Sequence, residues 1–143
     1  ANVDRFTRRG FMQFRAAAQS AQEYREKFRV KTPGIEKKVL QLSGGNQQKV
    51  LMSMWVSRHP RILLIDEPTR GIDVGTKESI HALIRDFARQ GMGVVMISSE
   101  MPELMGAADR VIALYEGRVS GELPLRRVTE ERIMALTSGL AAD

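Results

Sequence analysis

The chain has 143 residues and 43% hydrophobic content, enough for one domain with a real core and against wholesale disorder. It has no cysteine, which excludes a disulfide framework and thiolate metal sites and fits a reducing compartment. No apolar run approaches the roughly 18 residues of a membrane span, and no signal peptide is visible. The chain begins at Ala1 rather than Met, which points to a processed product or a piece cut from a longer chain.

The net charge of +5 is uneven. Residues 1–50 carry 11 Lys and Arg against 4 Asp and Glu, whereas residues 51–143 carry 11 against 13. A basic first third is compatible with nucleic acid or lipid headgroups. Its cations are interspersed with Gln, Glu and Phe and lack an aromatic stacking platform, which favours a solvated helical surface.

In chain order, residues 1–32 read as helical, with Phe6, Phe11, Met12 and Phe14 as apolar points in a polar stretch. "SAQE" has the form of a capping box, with Ser20 as N-cap and Glu23 three residues on. Tyr24, Phe28 and Val30 follow on a helix that must end before Pro33-Gly34. After "LSGGNQQK", residues 42–49, a helix is expected from Asn46 to His59, with Val50, Leu51, Met54 and Trp55 at helical spacing and Pro60 as its stop. "RILLID" is a short continuous apolar run, as expected of a strand buried on both faces. Val74 to Gln90 is an amphipathic helix with Ile80, Leu83, Ile84 and Phe87 on one face, and Gly91 in the place of a glycine cap.

A second buried strand, "GVVMISS", comes next, then a short helix around Pro102–Gly106. "RVIALYEG" and "RVSGEL" read as a hairpin turned at Glu116-Gly117. Thr129 caps a last helix ending near Gly139. Strands alternating with helices predict an α/β layer fold with a mainly parallel sheet, preceded by a separate helical layer of about 40 residues. There is no internal repeat.

The chemistry concentrates in "RILLIDEPTRGID". An apolar strand ends in Asp66-Glu67, and ligand sites in parallel sheets lie at the carboxyl ends of strands. Two adjacent acids there divide the work of phosphoryl transfer. Asp66 can hold Mg²⁺, directly or through water, and Glu67 can orient an attacking water. The loop at 42–49 fits the same chemistry. Ser43 can donate a hydroxyl hydrogen bond, Gly44 and Gly45 allow close backbone approach, and the helix beginning near Asn46 adds free N–H groups and a positive dipole end. Together these suit a terminal phosphate. A self-sufficient site of this class also needs G-x-x-x-x-G-K-[ST], and the chain has none. "GIDVGTK", residues 71–77, has the wrong spacing and follows the acid strand, so it is not expected to cradle phosphate.

These residues resemble a known family. "LSGGNQQK" is similar to the ABC signature motif, "ILLIDEP" to Walker B with its catalytic glutamate, and "TRGID" to the D-loop. The chain thus resembles an ABC-transporter ATPase. With "SSEMPEL" it looks like the second nucleotide-binding half of the tandem ATPases of bacterial monosaccharide importers, of the ribose and galactose type. The resemblance spans the chain in outline and is strongest from Leu42 to Gly117.

It implies a partial P-loop NTPase (ABC ATPase) fold. A helical subdomain with the signature motif would occupy 1–57, and the C-terminal part of the ATPase core 58–143. It also implies that Walker A lies upstream, outside this chain. Ser43, Gly44, Gly45, Asn46 and Gln47 would complete an ATP site on a partner half. Asp66 and Glu67 would serve, with ATP and Mg²⁺, the site built on this half's own Walker A. Asp73 would be the D-loop aspartate. Ser99 stands where the family usually has a histidine on the γ-phosphate; a serine lacks the imidazole charge, which puts activity of the Glu67 site in doubt. His59 and His81 are expected to be structural.

The implied partners are the other ABC half, membrane permease subunits docking on residues 1–41 and, indirectly, a periplasmic sugar-binding protein. The implied place is the cytoplasmic face of the inner membrane, as a peripheral subunit. Nucleic acid is not an expected partner, and the chain by itself is expected to lack ATPase activity and to self-associate. Two other readings stay open: a DNA-associated ABC ATPase of the repair or chromosome-structure type, and an interaction piece without turnover.

Overall fold

The computed structural model describes residues 2–140 and divides into two compact units, one running to Val95 and the other beginning at Met96. The division expected at residue 57 falls inside the first unit.

The first unit opens with a 3₁₀ turn, Asp4–Phe6, and a small antiparallel hairpin of β1 (Thr7–Arg8) and β2 (Phe11–Met12). Its turn residues Arg9 and Gly10 have φ of 52° and 83°, the double left-handed conformation that a two-residue hairpin needs. Helix α1 (Phe14–Lys27) follows. The expectation of continuous helix from residue 1, with a fresh start at Ser20, is therefore corrected. The 3₁₀ turn and the hairpin occupy residues 4–12 instead. No Gly or Pro interrupts 14–27, so Ser20 sits mid-helix and caps nothing.

Helix α1 ends earlier than Val30, in a Schellman turn with an arginine in the glycine position. Arg29 has φ 50°, its N–H reaches the Glu26 carbonyl, and the Val30 N–H reaches the Arg25 carbonyl. That turn buries Phe28 and Val30. The Phe28 ring packs tilted against those of Tyr24 and Phe87, with centroids 6.0 and 5.5 Å away.

After a 3₁₀ turn at Val39–Gln41, α2 (Gly44–Val56) begins two residues before Asn46 and ends before His59, whose φ is 52°. Its buried stripe is Gly45, Lys49, Met52 and Val56, while Leu51, Met54 and Trp55 are exposed. Strand β3 (Ile62–Asp66), helix α3 (Val74–Arg89) and the first three residues of strand β4 (Gly93–Ile97) complete the unit. On α3 the residues Ile80, Ile84 and Phe87 are buried and Leu83 half-buried, as the periodicity predicts. Gly91 has φ 88° and closes the helix as a glycine cap.

β3 and β4 form a two-stranded sheet. The Gly93 N–H donates to the Arg61 carbonyl at 2.9 Å, so the strands begin side by side and α3 makes the crossover that a parallel pair requires. β3 is not buried on both faces as expected. Leu63 and Ile65 are buried, but Ile62 and Leu64 are 65% and 72% exposed. A pleated strand points alternate side chains to opposite faces, and here only the face of Leu63 and Ile65 is covered.

The second unit contains α4 (Met101–Ala107), the antiparallel hairpin β5 (Arg110–Tyr115) and β6 (Arg118–Pro124), and α5 (Glu130–Thr137). Glu116 and Gly117, with φ of 45° and 75°, form the expected two-residue turn. Both hairpins are antiparallel because turns of this length permit nothing else. Val111, Val128 and Ile133 form the core, with Met101, Leu104, Ala108 and Leu123 packed against it. Thr129 caps α5 as expected, its Oγ1 accepting the Arg132 N–H at 3.3 Å.

Candidate functional site

The loop at 42–49 is fixed from behind. Asn46 Nδ2 donates to Ser43 Oγ at 2.8 Å, and Asn46 Oδ1 accepts the Lys31 N–H at 2.8 Å. Gln47 Nε2 donates to the Leu42 carbonyl at 2.8 Å. The first helical bond of α2 runs from Gln47 N–H to the Ser43 carbonyl, and Ser43 makes no side-chain cap bond to the helix. Ser43 and Gly44 are exposed, while Gly45 is buried. The loop therefore presents an accessible hydroxyl and an open glycine at the positive end of a 13-residue helix, which is an anion-binding arrangement.

The two glycines differ. A Cβ on Gly44 would meet nothing within 4 Å. A Cβ on Gly45 would lie 2.1 Å from Thr76 Cγ2 and 3.3 Å from Ile72 Cγ2. The structure thus brings the signature-like loop against the turn that contains Asp73.

Asp73 is the N-cap of α3. Its Oδ1 accepts the Thr76 N–H at 3.0 Å and its Oδ2 accepts the Thr76 hydroxyl at 2.8 Å. The Thr76 hydroxyl bond, followed by the Thr76 N–H bond, holds the Asp73 carboxyl below its usual range. The cap occupies the N-terminal end of α3, and Gly75 and Lys77 lie in its first turn.

Asp66 is exposed at the end of β3. Glu67 follows with φ 45°, a left-handed conformation that costs a non-glycine residue free energy and recurs at functional sites. The turn is held by Arg70 N–H to the Glu67 carbonyl and Ile72 N–H to the Thr69 carbonyl, over buried Pro68 and Thr69. Among the described residues no group of three His, Cys, Asp or Glu could hold a metal.

Ser99 belongs to the second unit and is exposed between β4 and α4. Its neighbour Ser98 accepts the Glu100 N–H at 3.0 Å and donates to the buried carboxylate of Glu103.

Sequence reading missed Lys49, which is 6% exposed one turn beyond Gly45. Burial lowers its pKa first, then the charges of Lys31 and Arg29; Asp73 acts in the opposite direction. It also missed Thr76. The spacing of Gly45 and Lys49, four apart and hence on one helix face, was the available signal.

A family model described as ABC transporter matches residues 2–70. The chain is 50% identical over 135 residues to a ribose/galactose/methyl galactoside import ATP-binding protein 2 of Rhizobium meliloti (strain 1021), covering 94% of this chain and 26% of the relative. It is 50% identical over 119 residues to a xylose import ATP-binding protein of Geobacillus kaustophilus (strain HTA426), covering 83% and 24%. The chain thus spans about a quarter of the length of these relatives. Among solved structures, a dimeric bacterial ABC transporter cassette is 30% identical with TM-score 0.70, covering 86% of this chain and 53% of that one. A dimeric post-hydrolysis state of an ATP-binding cassette bound to ADP and Pi is also 30% identical, with TM-score 0.72, covering 89% and 56%.

Proposed function

We propose, from the premise that this chain belongs to the ABC-transporter ATPase family, that it serves the ATP-binding subunit of a bacterial monosaccharide importer and couples ATP hydrolysis to uptake. The observation that carries this reading is the loop at Ser43 and Gly44, braced by Asn46 and open at the helix end, on a chain half identical to sugar-import ATP-binding proteins.

In this reading Ser43, Gly44, Gly45, Asn46 and Gln47 face the terminal phosphate of an ATP that another ABC half presents. Helix N–H groups and the Ser43 hydroxyl there stabilise negative charge. Bound Mg²⁺ would supply charge neutralisation on the phosphates, with Asp66 as its protein contact. Glu67 holds and orients the attacking water, its carboxylate set off the strand by the left-handed turn. Ser99 can hydrogen-bond a phosphate oxygen but adds no positive charge, so the Glu67 site is the slower of two unequal sites.

Residues 1–41 dock on the permease, and a periplasmic sugar-binding protein acts through that permease. The place of action is the cytoplasmic face of the inner membrane. No helix among the described residues is long and apolar enough to cross a membrane. The sequence has no G-x-x-x-x-G-K-[ST] loop to grip the α- and β-phosphates, so the chain alone hydrolyses no ATP. The exposed apolar face of its two-stranded sheet, with Ile62 and Leu64 uncovered, favours self-association.

The deciding experiment is ATP hydrolysis and sugar uptake by the full-length protein assembled with its permease, compared with the 143-residue chain alone. Sugar-stimulated hydrolysis by the assembly and none by the chain is the expected outcome. Mg²⁺-dependent turnover by the chain alone, abolished by Glu67→Gln, would refute the shared-site reading.

A further inference from the structure

Gly45 has helical backbone angles, so its conformation does not require glycine. What requires glycine is the neighbour. Thr76 Cγ2 would stand 2.1 Å, and Thr76 Cβ 3.0 Å, from any Cβ placed there. Thr76 is itself immobilised, because both its N–H and its hydroxyl bond to the Asp73 carboxylate. One side chain therefore touches both loops, its hydroxyl on Asp73 and its methyl on Gly45. Buried Lys49, one turn along α2, feels the same Asp73 charge.

We infer that Thr76 is a positioning residue which locks the phosphate-facing loop to the Asp73 turn, so that the two shift together when nucleotide binds. The inference rests on the ATP-binding reading above. It separates the two glycines by role: Gly44 is small for the ligand, and Gly45 is small for Thr76. Room for an extra carbon at position 45 should then appear when the Thr76 methyl is removed.

The test is a double-mutant cycle in the full-length protein assembled with its permease, reading kcat and KM for ATP together with the melting temperature. G45A is expected to lower kcat about tenfold, within the range that residues in direct contact show. G45A/T76S should return to within about threefold of T76S alone, since the serine keeps the hydroxyl on Asp73 and removes the 2.1 Å clash, leaving tight approaches of 3.0 Å from its Cβ and 3.3 Å from Ile72. T76V, which keeps the methyl and loses the hydroxyl, should lower kcat while leaving KM nearly unchanged, and it decides the matter if G45A fails to fold. Recovery of melting temperature without recovery of kcat would make the contact structural only and overturn the positioning role. So would a T76V enzyme with wild-type kcat. A wild-type assembly that hydrolyses no ATP would instead remove the reading beneath it, while the melting-temperature cycle still tells whether Gly45 and Thr76 are in contact.

Discussion

Asn46 holds Ser43 by a hydrogen bond of 2.8 Å from its Nδ2 to the Ser43 Oγ, while its own Oδ1 is anchored on the Lys31 N–H. Since Ser43 Oγ accepts in this pair, its proton remains available to donate. Asn46→Ala is expected to cost about 1–2 kcal/mol of stability, from two hydrogen bonds of modest net worth. Asn46→Asp separates folding from function. A carboxylate in the first turn suits the helix dipole by about 0.3–1 kcal/mol, yet it opposes an incoming phosphate. Its ATP turnover in the assembled transporter should fall below that of Asn46→Ala while its melting temperature stays higher.

Glu67 combines a proposed catalytic role with a left-handed backbone, φ 45°. In the assembled transporter Glu67→Gln should reduce hydrolysis at its site by about 10²–10⁴-fold, the usual loss for a general base, with ATP binding largely intact. Glu67→Gly should abolish the same activity but raise stability by up to about 1 kcal/mol, because glycine adopts this conformation without strain. Unchanged hydrolysis and uptake in Glu67→Gln would remove the catalytic assignment.

Asp4 and Arg58 form a two-point ion pair, with N–O distances of 3.0 and 2.8 Å. The Arg58 hydrogen bond pulls the Asp4 pKa from 3.8 to about 2. The folded pKa is depressed, so the contribution to stability is present above 3.8 and is lost as pH falls through about 2. Urea melts between pH 5 and pH 2 should show a dependence in that window that Asp4→Asn removes. Both partners are solvent-exposed, so high salt should flatten it as well.

Phe87 is 1% exposed and packs in a tilted ring contact with Phe28. Phe87→Ala should destabilise the unit ending at Val95 by about 3–5 kcal/mol. Phe87→Leu should cost less because it preserves more of the buried volume. Denaturant midpoints at constant m-value check both.

Much of the fold was legible because its signals were local. Glu116-Gly117 announced a turn, Thr129 a helix start and Gly91 a helix end, and each does that work. The first hairpin was hidden because Arg9 is not a residue that advertises a left-handed turn. Arg29 concealed the end of α1 for the same reason, and burial of Phe28 and Val30 outweighs its backbone preference. In the site, the residue types and their order pointed to phosphate chemistry. The distinct surroundings of Gly44 and Gly45 could not be read from adjacent identical letters. They depend on Thr76, thirty-one positions later. Lys49 was missed because a lysine on an amphipathic helix usually extends to solvent.

The alternating exposure of β3 bears on how rigidly its acids are held. Leu63 and Ile65 anchor the strand from one side, while Ile62 and Leu64 stand in water. A fully covered aliphatic side chain of this size is worth about 1.5–3 kcal/mol. Two such residues amount to a large part of a domain's net stability. The strand that carries Asp66 and Glu67 is thus only half clamped by its own chain. Under the proposed reading, how tightly the acid pair is aimed rests, within this chain, on the buried side of the strand alone. If the proposed site is right, substitutions at Ile62 or Leu64 would change its turnover without touching a phosphate contact.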